Sequence, residues 1–499
     1  MRSLFRPATL FVVSVMVAVF AGPNHAQDQC LTCHEAIGEK NAELFKHDIH
    51  RAKGLSCAAC HGGDASKDGM DEAMSANAGF IGVPKGDVVS AVCAKCHSNS
   101  LVMVKQYNSI LPLDQMELIG ASVHGKLSTK GTERIVQCTS CHGAHGIVTK
   151  QDRRSRVHPV KVPSTCARCH SNAQYIRDYN PALPIDQLDK YRTSVHGKQN
   201  SKGDPKVAEC ASCHGSHDIL SAKDVRSRVY PTNIPATCGS CHSDISLMRA
   251  YGLPADQLEN YSRSVHGTAL LHQKDLGAPA CNDCHGNHGA TPPGVESVSK
   301  VCGTCHVLNA ELFSASPHQK AFDAQRLPAC ETCHGSHDVV AATDALLGIG
   351  EGAVCSWCHG KDQESRGYVV ARMMRQLVDS LQATEEDAIT RVNEAEQKGM
   401  EVGEAQFTLR EVRQARLETR TKVHAFDQKQ FGAVVDRGLS AAAQVSTEAN
   451  RAIDEYYFRR WGLLVATLII TVLAGSLFML IRRIERTQGD QERSGAATQ

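Results

Sequence analysis

Aromatic residues make up only 5% of this 499-residue chain, and two of them are tryptophan. That is too few for a conventional aromatic-rich core. Neither sign of charge dominates: 54 basic and 53 acidic side chains leave a net charge of +1. The balance excludes a general nucleic-acid binder driven by charge. Proline stops at Pro328, so the rest of the chain lacks that helix breaker. Long apolar runs are scarce too, with one near each end. Cysteine occurs in a single recurring motif, and none is left over for a disulfide.

What is abundant is that motif. All 22 cysteines fall in eleven Cys-x-x-Cys-His units. They are Cys30, Cys33 and His34; Cys57, Cys60 and His61; Cys93, Cys96 and His97; Cys138, Cys141 and His142; Cys166, Cys169 and His170; Cys210, Cys213 and His214. They continue at Cys238, Cys241 and His242; Cys281, Cys284 and His285; Cys302, Cys305 and His306; Cys330, Cys333 and His334; Cys355, Cys358 and His359. This is the attachment signature of c-type haem. The two thiols form thioethers with the porphyrin, and the adjacent neutral imidazole ligates the iron. Zinc knuckles need two cysteine pairs each, so eleven units would leave one over. Dithiol redox chemistry does not call for His after every second Cys. The reading is eleven covalently attached haem c groups.

The motifs sit in internal repeats. Leu-Pro-x-Asp-Gln begins at Leu111, Leu183 and Leu253, and each copy is followed by Ser-Val-His-Gly with His124, His196 or His266. Then comes Cys-x-x-Cys-His-Gly-x-His, adding His145, His217 and His288, and after it a second motif. A shorter fourth copy carries His318 and His337. A degenerate first copy has His50, with Gly62, Gly63 and Asp64 in place of the Gly-x-His tail. These nine in-register histidines are the leading candidates for second axial ligands. His47, His158, His272 and His424 compete for the remaining two irons, with His47 and His424 preferred. His424 lies on an apolar stripe and is read as a ligand for a haem close to the membrane, against a plain packing role. From Cys30 to His359 there are about 30 residues per motif. The macrocycles must therefore supply most of the buried apolar surface, with short helices and loops around them.

The ends carry different signals. Arg2 and Arg6, an apolar run over residues 8–21 and small residues up to Ala26 read as a signal peptide; the run is short for an uncleaved anchor. Beyond His359 the chain turns to Ala, Glu, Gln, Arg and Leu, strong helix formers. Gly399, Gly403, Gly432 and Gly438 are read as breaks between two or three long helices. Residues 461–481 are uncharged, with Arg459 and Arg460 before them and Arg482 and Arg483 after. That run is long enough to cross a bilayer, with the basic tail inside. The expected fold is mainly α with extensive loops. It comprises a signal peptide (1–26), a haem-organised repeat domain (27–362), a helical domain (363–458), a transmembrane helix (459–482) and a cytoplasmic tail (483–499).

Ser-Val-His-Gly, Cys-x-x-Cys-His-Gly-x-His and Cys-x-x-Cys-His-Ser together resemble periplasmic multihaem cytochromes c, the doubled-motif group related to cytochrome c3/c7 and the decahaem electron-transfer proteins. The resemblance covers residues 27–362. It implies an electron wire with mostly bis-histidine haems of comparatively low potential. Membrane-anchored relatives often draw on the quinol pool. Here the anchor is C-terminal, unlike the quinol-oxidising type with an N-terminal anchor. The expected partners are a membrane quinol-oxidising or other redox subunit, periplasmic redox proteins and the lipid bilayer, with no nucleic acid. The expected location is the cytoplasmic membrane, single-pass, with the haem domain in the periplasm. The alternative is a catalytic multihaem reductase or hydroxylamine-oxidising enzyme with one open haem.

Overall fold

Cys-x-x-Cys-His is one helical turn long, and its cysteines stand three apart, so a short helix puts both thiols on one side. The computed structural model describes residues 28–126, 134–292 and 298–496, and it folds the motifs this way. The helices Cys138–His142, Cys210–His214 and Cys281–His285 each hold one motif. They start where the Ser140, Ser212 or Asp283 side chain accepts the backbone N–H three residues earlier, at 3.1, 3.1 and 2.7 Å. They stop at Gly143, Gly215 and Gly286, whose φ of 82–85° favours glycine. Second motifs end longer helices, Val162–His170 and Ile234–His242, with Pro163 and Pro235 in the first turn. Among the described residues there are helices and loops and no strand.

The chain forms two compact units. The first contains the residues up to Ala255 together with Ala280–Thr291; the second contains Asp256–Pro279 and the residues from Pro292 onward. The first unit buries few apolar side chains. Leu31, Ala42 and Phe45 cluster, while Met103, Ile176 and Met248 stand apart. These last three occupy one register position, six residues after His97, His170 and His242. So sparse a protein core needs other apolar material to fold around.

The second unit contains the conventional core. Three long helices, Arg366–Gln397, Gly403–Lys422 and Gln428–Ala496, pack side by side. On the first, Met374, Val378, Leu381, Glu385, Ala388, Val392 and Ala395 are buried at alternating spacings of four and three, the coiled-coil period. Val412, Phe431, Val435 and Val445 meet them. Glu385, buried on that seam, is held by Arg416 at 2.6 Å. Two expected breaks are absent. Gly432 and Gly438 lie inside the third helix; at Gly438 a Cβ would press against Ala415 and Leu381, so glycine there serves close packing. Gly399, with φ 74°, does end the first helix. The second turn falls at residues 423–427, where Phe426 takes φ 48°.

The third helix runs on past the bundle. An 18-residue window within it has a mean hydropathy of 2.6, and none of that window is buried. Trp461, Leu468, Ile470 and Phe478 are all more than half exposed. The helix is long and apolar enough to cross a membrane. The signal-peptide region and His25 lie outside the described residues.

Candidate haem sites

Each residue of Ser-Val-His-Gly has a separate task. Ser194 is buried. Its Oγ accepts from Gly197 N–H at 2.9 Å and donates to the Tyr191 carbonyl at 2.6 Å. Ser264 does the same with Gly267 and Tyr261. Ser122 does so with Gly125 and Ile119. Ser194 and Ser264 are helix N-caps, and Ser122 makes the same bonds in a turn. At Gly125, Gly197 and Gly267 any Cβ would collide with the carbonyl oxygen of Ile119, Tyr191 or Tyr261. Asp48 takes the serine's place in the first copy, accepting from His50 N–H at 2.9 Å. The residue before each histidine docks on the following repeat: Ile49 N–H on Ile147 O, Val123 on Ile219, and Val195 on Ala290, at 2.7–3.1 Å. Val265 docks likewise on Val339 within the second unit, at 3.0 Å. Each acceptor lies two residues after a tail histidine.

This docking aims the histidines. Within a repeat, the Ser-Val-His-Gly histidine faces the second motif: His124 and His170 at 6.1 Å between ring centroids, and His196 and His242 at 6.1 Å. His50 and His97 stand 6.0 Å apart, His266 and His306 6.3 Å, and His318 and His359 6.0 Å. Between repeats, a first-motif histidine faces the next tail: His61 and His145, His142 and His217, and His214 and His288, all at 6.1 Å. His424, on the turn between the second and third long helices, stands 6.1 Å from His334. A metal-bound imidazole nitrogen sits about 2.0 Å from the metal and roughly 1.1 Å from its own ring centre. Two imidazoles on opposite sides of one iron therefore stand about 6.2 Å apart by the same geometry. The nine observed spacings fit a haem iron between each pair.

Electrostatics favours the ligating form. Burial first, then the facing His170, holds His124 down to about 4. Burial followed by a facing imidazole also lowers His97, His142, His145, His196, His266, His318 and His334. Neutral imidazole is the form that binds metal. Several Nδ1 atoms have acceptors that leave Nε2 for the iron. His61 Nδ1–H donates to Gly82 O at 2.8 Å and His424 Nδ1–H to Thr421 O at 3.0 Å. His50 Nδ1–H donates to Asp48 Oδ1 at 2.8 Å.

The other candidates are placed differently. His158 is buried, but its Nδ1 accepts from Val160 N–H at 3.3 Å and it faces no imidazole among the described residues. His47 and His272 are exposed and face no imidazole among the described residues. His337 ends the same Gly-x-His tail as His145. His424 stands at the end of the helix bundle remote from the apolar segment. The hairpin turn dictates this, because the third helix leaves it with more than thirty residues to run before residue 461.

The thiols of successive motifs are neighbours in chain order. In the first unit Cys30 lies beside Cys57, Cys60 beside Cys96, Cys93 against Cys138, Cys141 beside Cys166, Cys166 against Cys210, Cys213 beside Cys238 and Cys238 against Cys281. In the second, Cys302 touches Cys330, and Cys333 lies beside Cys355. Porphyrins attached there would be held close to one another. The cysteine contacts and the roles of Asp48 and Thr421 were not legible in advance. Only the constant spacing of Asp48 or Ser two residues before the histidine signalled the cap.

Comparison with known proteins agrees with this geometry. Residues 132–292 match the family described as outer membrane cytochrome MtrC/MtrF-like, domains II/IV, and residues 49–171 match cytochrome c3. The chain is a multihaem cytochrome c. It is 22% identical over 301 residues to the C-type polyheme cytochrome OmcB of Geobacter sulfurreducens, covering 52% of this chain and 36% of that protein. OmcC of the same organism is 22% identical over 299 residues, covering 52% and 37%. This cytochrome thus spans little more than a third of the length of these relatives. No solved structure matches it.

Proposed function

We propose that this cytochrome is an eleven-haem electron conduit anchored in the cytoplasmic membrane by residues 461–481, with its haem part in the periplasm. The observation that carries the reading is the unbroken neighbour order of the motif thiols within each unit. Each haem supplies a one-electron couple when bound. The chain's own residues would do the rest: the cysteines would attach the macrocycles next to one another, and the nine facing imidazole pairs would hold the irons. Two strong axial ligands leave no substrate position on those irons. By register His337 is a ligand as well. The span candidate among the described residues is an apolar α-helix, which favours the cytoplasmic membrane, because outer-membrane spans are β-barrels.

Lys398 supports a partner requirement. It lies over the rings of Tyr456 and Tyr457 at 5.4 and 5.3 Å, which marks the membrane end of the bundle. The third helix from Gln428 to that end is about 45 Å long at 1.5 Å per residue. The haem between His334 and His424 is therefore far beyond direct electron exchange with the bilayer along this bundle. A membrane quinol-oxidising or other redox subunit must reach it, and periplasmic redox proteins are the other partners. The catalytic reading keeps one specific support, the surroundings of His34.

Intact mass tests the stoichiometry. The expected value is the mature chain plus eleven haems, and reductive titration should then take up about eleven electrons per chain. Fewer than ten retained haems, or a clear excess of free thiols, would overturn the reading.

A further inference from the structure

The tail register makes one position stand out. The histidine three residues after a first-motif histidine faces the first motif of the repeat before it, as in His145 with His61, His217 with His142 and His288 with His214. The corresponding position after His61 is Asp64. The Cys30 motif bonds to that very tail: Gln29 N–H donates to the Ala65 carbonyl at 2.9 Å, one residue after Asp64, where the acceptors on later tails lie two residues after the histidine. So the segment that would offer an imidazole to His34 carries a carboxylate. That carboxylate is turned into its own loop, where Asp64 Oδ1 accepts from Ser66 N–H at 2.9 Å and from Ser66 Oγ at 2.6 Å.

No other histidine takes over among the described residues. None stands opposite His34 at the spacing of the nine pairs. His47 is exposed, between buried Phe45 and buried Asp48. Asp48 is tied down on both oxygens. Oδ1 takes the His50 N–H and Nδ1–H, and Oδ2 takes Ile147 N–H at 2.7 Å. These bonds hold the backbone directly after His47. The signal-peptide reading removes His25 with residues 1–26.

We infer that the haem on Cys30 and Cys33 is held by His34 alone, leaving its second axial position open to small π-accepting ligands such as carbon monoxide, nitric oxide and cyanide. The inference rests on the eleven-haem reading. It gives one end of the motif series a chemistry that the bis-histidine sites lack.

The test uses the full-length holoprotein in detergent, with haems counted by intact mass. After dithionite reduction, carbon monoxide uptake should be about one per chain, and the ferric protein should show a high-spin signal of about one haem in eleven. Asp64→His should abolish both while all haems are retained. His47→Ala should change neither. Should Asp64→His not fold, the double variant Cys30→Ala, Cys33→Ala should lose one haem and all carbon monoxide uptake. A protein with eleven haems that is wholly low-spin and takes up no carbon monoxide overturns the inference while the array reading stands. A rise in uptake on His47→Ala also overturns it, by making His47 the ligand. Fewer than ten haems by mass would overturn the array reading, and this one with it.

Discussion

At the scale of single residues, the imidazole planes separate the haem sites into two groups. Rings paired between repeats are nearly parallel: 6° for His61 and His145, 11° for His142 and His217, and 16° for His214 and His288. The His334 and His424 planes differ by 23°. Rings paired within a repeat are crossed: 90° for His50 and His97, 62° for His124 and His170, 60° for His196 and His242, and 86° for His318 and His359. His266 and His306, at 35°, fall between. Parallel planes push π density into one iron d orbital and split the pair. Crossed planes load both orbitals alike and leave them nearly degenerate. The ferric protein should therefore show two low-spin electron paramagnetic resonance populations in similar amounts. One should have resolved rhombic features and the other a single broad low-field feature. A spectrum with only one low-spin population would show that haem binding re-orients the rings. The planes are held by second contacts, Gly82 O for His61 and Asp48 for His50, so such a re-orientation would have to break those bonds.

At the scale of elements, the hairpin between the second and third long helices is the piece that completes the repeat array. Repeat proteins need a different structure at the end to close the last interface. Here the last first-motif histidine, His334, has no further repeat to offer a tail, and the helix bundle substitutes His424 from its turn. His424→Ala should keep every haem but add one high-spin haem to the wild-type spectrum. The bundle's thermal unfolding should hardly move, since the core contacts of Leu381, Val412 and Phe431 are untouched. Leu381→Ala should do the reverse, costing about 2–5 kcal/mol of bundle stability with haem spin states unchanged. Circular dichroism melts and resonance spectra on both variants separate the two roles; unchanged spectra for His424→Ala would reduce it to a packing residue. These elements were unequally legible in the sequence. The motif helices and the apolar helix were readable because their signals are local: fixed cysteine spacing and an unbroken uncharged run. The turn at Phe426 was not, because it uses a non-glycine residue at positive φ, while Gly432 and Gly438 drew attention to positions where the helix continues. Which imidazole faces which was also hidden, since partners such as His61 and His145 lie 84 residues apart and only the repeat docking brings them together.

At the scale of the whole molecule, the apolar end of the third helix and the turn that carries His424 lie at opposite ends of one bundle in the second unit. The seam from Met374 to Ala395, with Glu385 clamped by Arg416, makes that bundle a stiff spacer. Its membrane end carries no haem motif, and residues 461–481 contain neither histidine nor any ionisable side chain. A quinol releases protons along with its electrons, so a site for it needs groups that accept them; a bare apolar helix has none. In the proposed reading this helix serves as the anchor, and redox chemistry is left to the motif-bearing residues. Removing residues 459–499 should give a soluble protein that keeps its haems and its chemical reducibility but loses efficient electron exchange with membranes. The full-length chain alone in liposomes should oxidise menaquinol no faster than the truncated one. Adding membranes that hold the missing redox subunit should accelerate only the anchored form, because anchoring raises the local concentration of the two proteins in one plane. Rapid menaquinol oxidation by the purified full-length chain in liposomes would mean that a haem approaches the bilayer by a route other than the bundle, and the partner requirement would fall.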